Sequence, residues 1–366
     1  MASQPVFTAM STSARQLHSL LRCIAFSQRA EVQITHSGIK FSVEEARVVQ
    51  GLTFLDKALF STYTLNLDDD QHTLPPFSIS IVALLETLQI FGIAEASSSR
   101  NPYGGFSSSY GNAFTAPALA VGGTCRLSYQ EPGAPLTITI QEGSVSTMCE
   151  MNTYEAHDNY EDDGGIPLDR NALCLKAIMR STWLHDAITE LSGTNPTALV
   201  LNASNRSAPY FALEGEGGPF GDSIVEFMPE SKNDPTPSGT RGKMQPLVTE
   251  TFSVVPPSGS HGRIRQRYKF DMVKRAGRAM ALASKVSVRQ DEQGVLSLQF
   301  MIDLGDGANN GARRDDNAAA AAPPSPGSVA FVDFRFVPLV GDDEDSESDT
   351  GSEEDFDRQE DNNASP

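Results

Sequence analysis

Apolar and polar residues alternate in steps of two along much of this chain. Glu31–Thr35, Ile39–Val43, Thr137–Ile140, Leu199–Asn202, Val286–Arg289, Leu296–Ile302 and Val329–Val337 either alternate strictly or are rich in β-branched residues. That is the signature of strands with one buried face. Turn signals punctuate them at Ser37-Gly38, Glu142-Gly143 and Gln293-Gly294, the last following Asp291. Four segments follow a helical step instead. Thr12–Ile24 places Leu17, Leu20, Leu21 and Ile24 on one stripe, and Ser80–Phe91 is apolar nearly all round. Ser181–Leu191 groups Trp183, Leu184, Ala187, Ile188 and Leu191, with the lone tryptophan expected in the core. Asp271–Ala283 aligns Met272, Val273, Ala276, Ala279, Met280 and Ala283, with Asp271 expected as its N-cap.

The order of these elements repeats. A strand, a helix, several strands, a second helix and more strands occupy residues 5–153 and again residues 167–338, with little identity between the halves. The division expected is therefore an N-terminal domain over 1–153, a connecting linker over 154–166, a C-terminal domain over 167–340 and a disordered acidic tail over 341–366. The linker reads YEAHDNYEDDGGI (Tyr154–Ile166), polar and acidic, ending in Gly-Gly before its last residue. Flexible insertions are expected at 96–123, 229–246 and 305–327, with a shorter one at Pro256–Gly262. Two domains also suit 366 residues at roughly 150 per domain.

Charge sharpens this picture. The chain carries 28 Lys+Arg against 47 Asp+Glu, a net −19, of which residues 341–366 supply −11 through 12 acidic residues and Arg358. The body is only mildly acidic, which excludes a protein coated in basic residues for nucleic acid or anionic lipid. The four cysteines (Cys23, Cys125, Cys149 and Cys174) form no C-x-x-C pair and sit in apolar contexts, so reduced core thiols are expected and no metal is implied. The N-terminus lacks the pattern of a secretory signal, and the longest apolar run, Ile79–Ala94, is short and carries Glu86 and Gln89. A soluble intracellular protein is expected, in which the sequons at Asn202, Asn205 and Asn363 carry no weight.

Candidate chemistry is sparse. Arg15, Ser19 and Arg22 lie opposite the apolar stripe of the first helix, and Lys274, Arg275 and Arg278 lie opposite that of the fourth. Each set reads as a solvated face when taken alone. Together, on an acidic chain, they suggest a surface that follows a phosphate backbone without reading bases. The third helix is less basic, with Asp186 and Glu190 on its polar side and only Arg180 and His185 near them. Nuclease chemistry needs clustered carboxylates around a divalent metal. The Asp345–Glu347 pair falls in the tail, Asp68–Asp70 reads as a turn, and Glu44 and Glu45 point to opposite faces of a strand. No catalytic residue, metal site or cofactor is expected. Gly215–Gly221 (GEGGPFG) lacks the Lys-Ser/Thr of a P-loop and reads as a hairpin. Ser346, Thr350 and Ser352 each precede an acidic residue by three positions, a pattern that suits an acidophilic kinase.

Five blocks taken together closely resemble one family: GIKFSVEEARVVQGLTFL (Gly38–Leu55), LLETLQIFG (Leu84–Gly92), PYFALEGEG (Pro209–Gly217), SKVSVRQDEQGVLSLQFMI (Ser284–Ile302) and VAFVDFRFVP (Val329–Pro338). In this order they resemble the Rad-one-type subunits of the eukaryotic checkpoint clamp, the nine-one-one complex, over about residues 5–338. The insertions at 96–123 and 305–327 are longer than the family pattern.

The resemblance implies an α+β, PCNA-like sliding-clamp fold of two similar domains, each with outer antiparallel sheets and two ring-lining helices. It implies a non-catalytic subunit of a heterotrimeric ring that an ATP-dependent loader places on double-stranded DNA or a primer-template junction. Such a ring acts in the nucleus, in checkpoint signalling and DNA repair, by tethering repair enzymes and checkpoint kinases. Ring-lining residues would be Arg15, Arg22, Arg180, Lys274, Arg275 and Arg278. Contacts with two sister subunits would use Ser144, Val145, Thr147 and Cys149 at one end and Asp222, Ile224 and Glu226 at the other. Clients would meet the linker at Tyr154, Tyr160 and Ile166. The competing readings are a 3′→5′ DNA exonuclease, an activity proposed for this family, and a homotrimeric replication clamp.

Overall fold

Alternation of buried and exposed positions carries through to a three-sheet architecture. The computed structural model describes residues 4–11, 14–67, 74–89, 124–142, 144–156, 165–228, 249–257, 262–304 and 329–340. The first half contains β1 (Phe7–Ser11), α1 (Ala14–Cys23), β2 (Arg29–Thr35), β3 (Gly38–Glu45), β4 (Val49–Asp56), β5 (Thr62–Leu65), β6 (Phe77–Ser80), α2 (Ile81–Gln89), β7 (Thr124–Tyr129), β8 (Leu136–Glu142) and β9 (Val145–Met151). A two-residue strand, β10 (Tyr154–Glu155), opens the segment between the halves. The second half contains β11 (Leu173–Arg180), α3 (Ser181–Leu191), β12 (Ala198–Ser204), β13 (Phe211–Glu216), β14 (Ser223–Glu226), β15 (Thr249–Val254), β16 (Arg263–Lys269), α4 (Phe270–Lys274), α5 (Gly277–Leu282), β17 (Lys285–Asp291), β18 (Leu296–Asp303) and β19 (Val329–Phe336). Counting α4 and α5 as one broken helix, both halves run strand, helix, five strands, helix, three strands.

The sheets repeat in the same way. In the first half β5-β1-β7-β8-β9 form one sheet and β6-β2-β3-β4 are consecutive neighbours in another. In the second half β15-β11-β17-β18-β19 and β16-β12-β13-β14 are the matching sets. One antiparallel joint merges the halves: β4 pairs with β19, with Val49 opposite Phe336 and Thr53 opposite Val332. The result is a ten-stranded sheet running β10-β6-β2-β3-β4-β19-β18-β17-β11-β15. Pairing across 279 to 287 positions of sequence is one consequence of this joint.

One face of that sheet is continuously apolar. It presents Val32, Ile34, Phe41, Val49 and Leu55 from the first half and Val332, Phe334, Phe300, Val286 and Val288 from the second, all buried. Each such side chain contributes about 1.5–3 kcal/mol relative to exposure. The helices pack on this side: α2 against β2 and β6, α1 against β4 and β19, α3 against β11 and β17, and α5 against β18. In the first half, Phe7, Leu127 and Leu136 of the five-stranded sheet meet Leu17, Leu21, Leu84 and Leu88 of the helices around one small apolar cavity.

Two expectations about the helices change. The segment Asp271–Ala283 is broken into α4 and α5. Phe270 N–H bonds to the Thr197 carbonyl, so the helix starts directly from β16 with Lys269 at the N-cap and Asp271 inside the first turn. At the break, Arg275 and Ala276 donate to the third preceding carbonyl, a tighter turn, just before Gly277, a poor helix former. Trp183 is 46% exposed rather than in the core. The buried stripe of α3 is centred on Leu184, Ile188 and Leu191, which leaves residue 183 at its margin. The glycine run Gly215–Gly221 does form the β13–β14 hairpin, closed by Asp222 accepting from the Gly217 N–H at 3.0 Å. Cys23, Cys125 and Cys174 are free buried thiols, whereas Cys149 on β9 is partly exposed. No helix among the described residues is long and apolar enough to cross a membrane.

Candidate functional site: a basic helix surface and two unpaired strand edges

Two surface features of the molecule stand out among the described residues. The first is a basic surface at the junction of the halves. On α1 the apolar stripe leaves Arg15 exposed and Arg22 half-buried, two turns or about 10 Å apart along the axis. The helix touches α5 of the other half, so Lys274, Arg275 and Arg278, all exposed, continue the surface. Arg278 lies close enough to Cys23, at the end of α1, to act on its thiol electrostatically; burial dominates there and pushes that pKa up to about 12. Arg275 is engaged, donating to the Glu45 carboxylate at the end of β3 at 3.0 Å. Arg180 stands apart, exposed at the N-terminus of α3. α3 itself exposes Asp186 and Glu190 beside Trp183.

The second feature is a pair of open strand edges. β9 closes one end of its sheet and β14 one end of its own, each with a neighbour on one side only among the described residues. Val145 and Met148 on β9 are exposed, as are Ile224 on β14 and Phe220 and Met228 flanking it. Thr147, Cys149 and Glu226 are partly buried, while Ser144 and Asp222 lead exposed into the two strands. In the repeat, β9 occupies the position of β19 and β14 the position of β4. The two strands left unpaired are thus the counterparts of the two that join the halves internally.

The family model described as "Repair protein Rad1/Rec1/Rad17" matches residues 6–302. The chain belongs to this family. Its architecture is the α+β sliding-clamp fold of that family. The DNA damage checkpoint control protein rad1 of Schizosaccharomyces pombe is similar at 30% identity, covering 91% of this chain and 87% of the relative. The human cell cycle checkpoint protein RAD1 is 29% identical over 81% of this chain and 85% of its own length. A DNA repair exonuclease named REC1, from Mycosarcoma maydis, is 27% identical over 52% of this chain and 42% of its own length.

In this Rad1-family chain the segment between the halves is anchored at both ends. Tyr154 pairs with Ser78 on β6, under the Arg29 guanidinium at 4.1 Å from its ring centre. At the far end Ile166 is buried: its N–H donates to Gln50 Oε1 at 3.1 Å, and its carbonyl accepts from Arg335 at 2.8 Å. Gly165 has φ +140°, and an added Cβ would lie 1.8 Å from the Gln50 amide nitrogen, so glycine is required there. Tyr160 and the tail sites Ser346, Thr350 and Ser352 lie outside the described residues, as do Asp68–Asp70 and Asp345–Glu347. Among the described residues no three His, Cys, Asp or Glu side chains group to hold a metal ion.

Sequence reasoning missed Gln50 and Arg335. An amide and a guanidinium in alternating strands carry no local sign that they clamp a residue more than 100 positions away. The spacing of Gly164-Gly165 before Ile166 was the only available signal.

Proposed function

We propose that this chain is a non-catalytic subunit of a heterotrimeric ring that encloses DNA at sites of damage and serves checkpoint signalling and repair. The repeated use of one strand pair carries the reading. Inside the chain, β4 meets β19; β14 and β9, their counterparts, remain open and lined with apolar residues. Unpaired edges of this kind are aggregation liabilities unless a partner covers them. A neighbour's β9-like strand on β14, and a neighbour's β14-like strand on β9, would continue the internal joint from subunit to subunit. Three chains of two halves each would then close a ring of six units. The kinship with checkpoint control proteins supports two different sister subunits over three identical copies.

In that ring the helices face inward, and Arg15, Arg22, Lys274 and Arg278 meet the phosphate backbone, with Arg180 further along the wall. Arg275 supports the surface through Glu45 more than it contacts DNA. Contacts of this type position without specifying sequence, as a sliding ring requires. The acidic exterior and tail repel DNA elsewhere. Loading by an ATP-driven machine, a nuclear location and client capture along the 154–166 linker complete the proposal, which assigns the chain no catalytic step of its own.

Retention on circular DNA tests it. Loaded complexes should survive a high-salt wash on a nicked circle and slide off once the circle is cut to a linear form. Equal loss from both substrates would refute enclosure. Magnesium-dependent digestion of DNA by the purified chain, abolished by one carboxylate substitution, would establish the exonuclease reading in its place.

A further inference from the structure

The first helices of the two halves keep the same spacing. Leu17, Leu20 and Leu21 of α1, with Ile24 just after it, match Leu184, Ala187, Ile188 and Leu191 of α3, and all eight are buried. Gln16 then corresponds to Trp183, His18 to His185 and Cys23 to Glu190. Each helix has two flanks beside its buried stripe. One flank meets the second helix of its own half. His18 Nε2 lies 2.8 Å from the Gln89 amide nitrogen of α2, and the Ser181 hydroxyl of α3 donates to the Met280 carbonyl of α5 at 2.7 Å.

The other flank of α1 crosses the internal joint. The helix touches β19 and α5 of the second half. Gln16 donates its amide N–H to the carbonyl of Leu304, directly after β18, at 2.8 Å. Leu20 and Cys23, on the same flank, are buried. The matching flank of α3 lies beside β14, where the sheet ends. There Trp183 and Glu190 are exposed, with Ala187 buried between them. A flank that is covered in the first half thus stands open in the second, next to the edge strand.

The side chains have equivalent reach. The indole N–H of Trp183 is carried on the ε atom, as far along the side chain as the Gln16 amide nitrogen. On the accepting side, Leu298 and Phe300 of β18 match Ile138 and Ile140 of β8 by their pairing with β17 and β7. Ser144 is therefore this chain's counterpart of Leu304.

We infer that Trp183 anchors the sister subunit that pairs with β14. Its indole is buried against that subunit and donates its N–H to the main-chain carbonyl at the position equivalent to Ser144, as Gln16 does to Leu304 within the chain. This rests on the ring reading above and adds to it a helix contact made by one residue. A buried indole combines a large apolar area with a donor that finds an acceptor. The partner is a different subunit because of Glu190. The neighbour's helix equivalent to α2 lies along Glu190 as α5, with Arg278, lies along Cys23. In this chain α2 carries Glu86 and no Lys or Arg, so a second copy would set acid against acid. A sister with Lys or Arg on that helix fits.

Trp183 is the only tryptophan of the chain, so the full chain grown with 5-fluorotryptophan gives one fluorine line when mixed with unlabelled sister subunits. That line should move, and lose its sensitivity to exchange of water for heavy water, when one sister joins. It should stay unchanged when Ile224→Asp blocks β14. Trp183→Ala should weaken that association about 30-fold, as truncation of a central interface tryptophan does, and Trp183→Phe, which keeps a ring without the N–H, should recover part of the loss. Light scattering reports assembly independently. A three-chain assembly in which the fluorine line keeps its free-chain position, or in which W183A associates as tightly as the parent, overturns this inference and leaves the ring reading standing. Failure to join either sister overturns both. Burial of Trp183 in a trimer of this chain alone overturns the choice of partner.

Discussion

Arg275 and Glu45 join the two halves of the molecule through an ion pair of 3.0 Å between the α4–α5 break and the end of β3. Both side chains are partly exposed, 42% and 30%, so the pair contributes no more than about 1 kcal/mol. Arg275→Ala should lower stability by no more than that and should change the salt dependence of DNA association little. Denaturant melts beside a salt titration separate the two effects. A large fall in DNA affinity with unchanged stability would instead make Arg275 a backbone contact.

The remaining basic residues should behave differently. Replacing Arg15, Arg22, Lys274 and Arg278 with alanine should weaken DNA association of the assembled ring and flatten its salt dependence. The slope of log K against log salt should drop by about 0.9 for each phosphate contact removed. Assembly of the ring should be unaffected, as followed by light scattering. Unchanged DNA binding in the quadruple variant would remove these helices from the channel wall.

The anchor of the linker offers a test away from DNA. The Gln50 amide is fully buried, donating to the Ser42 hydroxyl at 3.1 Å and accepting from the Ile166 N–H. Gln50→Leu strands the buried Ile166 N–H and takes a donor from the partly buried Ser42 hydroxyl, at a cost of about 1–3 kcal/mol. Gly165→Ala should release the same contact by steric clash. In both variants hydrogen exchange at Ile166 should rise before the core strands are affected. If Ile166 stays protected, something other than Gln50 and Arg335 holds the linker end.

Burial raises the Cys23 and Cys125 thiols from 9.0 to about 12 each. An acid whose pKa is raised on folding keeps its proton in the native state after the unfolded chain has lost it. Stability is therefore intact below pH ~9 and falls between ~9 and ~12, by about 1.4 kcal/mol per pH unit for each thiol. Alanine at both positions should reduce this alkaline slope, as measured by urea melts across that range. In the native protein at pH 8, Cys149 should be alkylated first; faster reaction at Cys23 would contradict its burial.

Much of the fold was legible because its strands have one wet and one dry face. Leu296–Ile302 and Val329–Val337 were readable to within a residue or two at their ends, since alternation is a local property. β4 was not singled out as a strand, because Val48-Val49, Gln50 and Gly51 interrupt the alternation. Gln50 and Gly51 stand there for reasons set elsewhere in the chain: the linker end for one, and close packing of Phe26 and Ile24 for the other. Trp183 was misplaced because a stripe drawn at helical spacing has soft margins. Trp183→Ala should accordingly cost under about 1 kcal/mol, whereas Phe300→Ala, fully buried, should cost about 3–5. The basic face of α1 was visible in the sequence. That it runs on into α4 and α5 depends on the β4–β19 joint, which no local pattern encodes.

The central claim is that the open edges of β9 and β14 are completed by two different subunits. The most direct measurement is the solution mass of the purified chain, alone and then mixed with candidate sister clamp subunits. The account predicts a monomer that becomes a three-chain assembly of one copy each, and Ile224→Asp on β14 should block that assembly. A stable trimer of this chain alone, or a monomer that persists in the presence of both sisters, would contradict it.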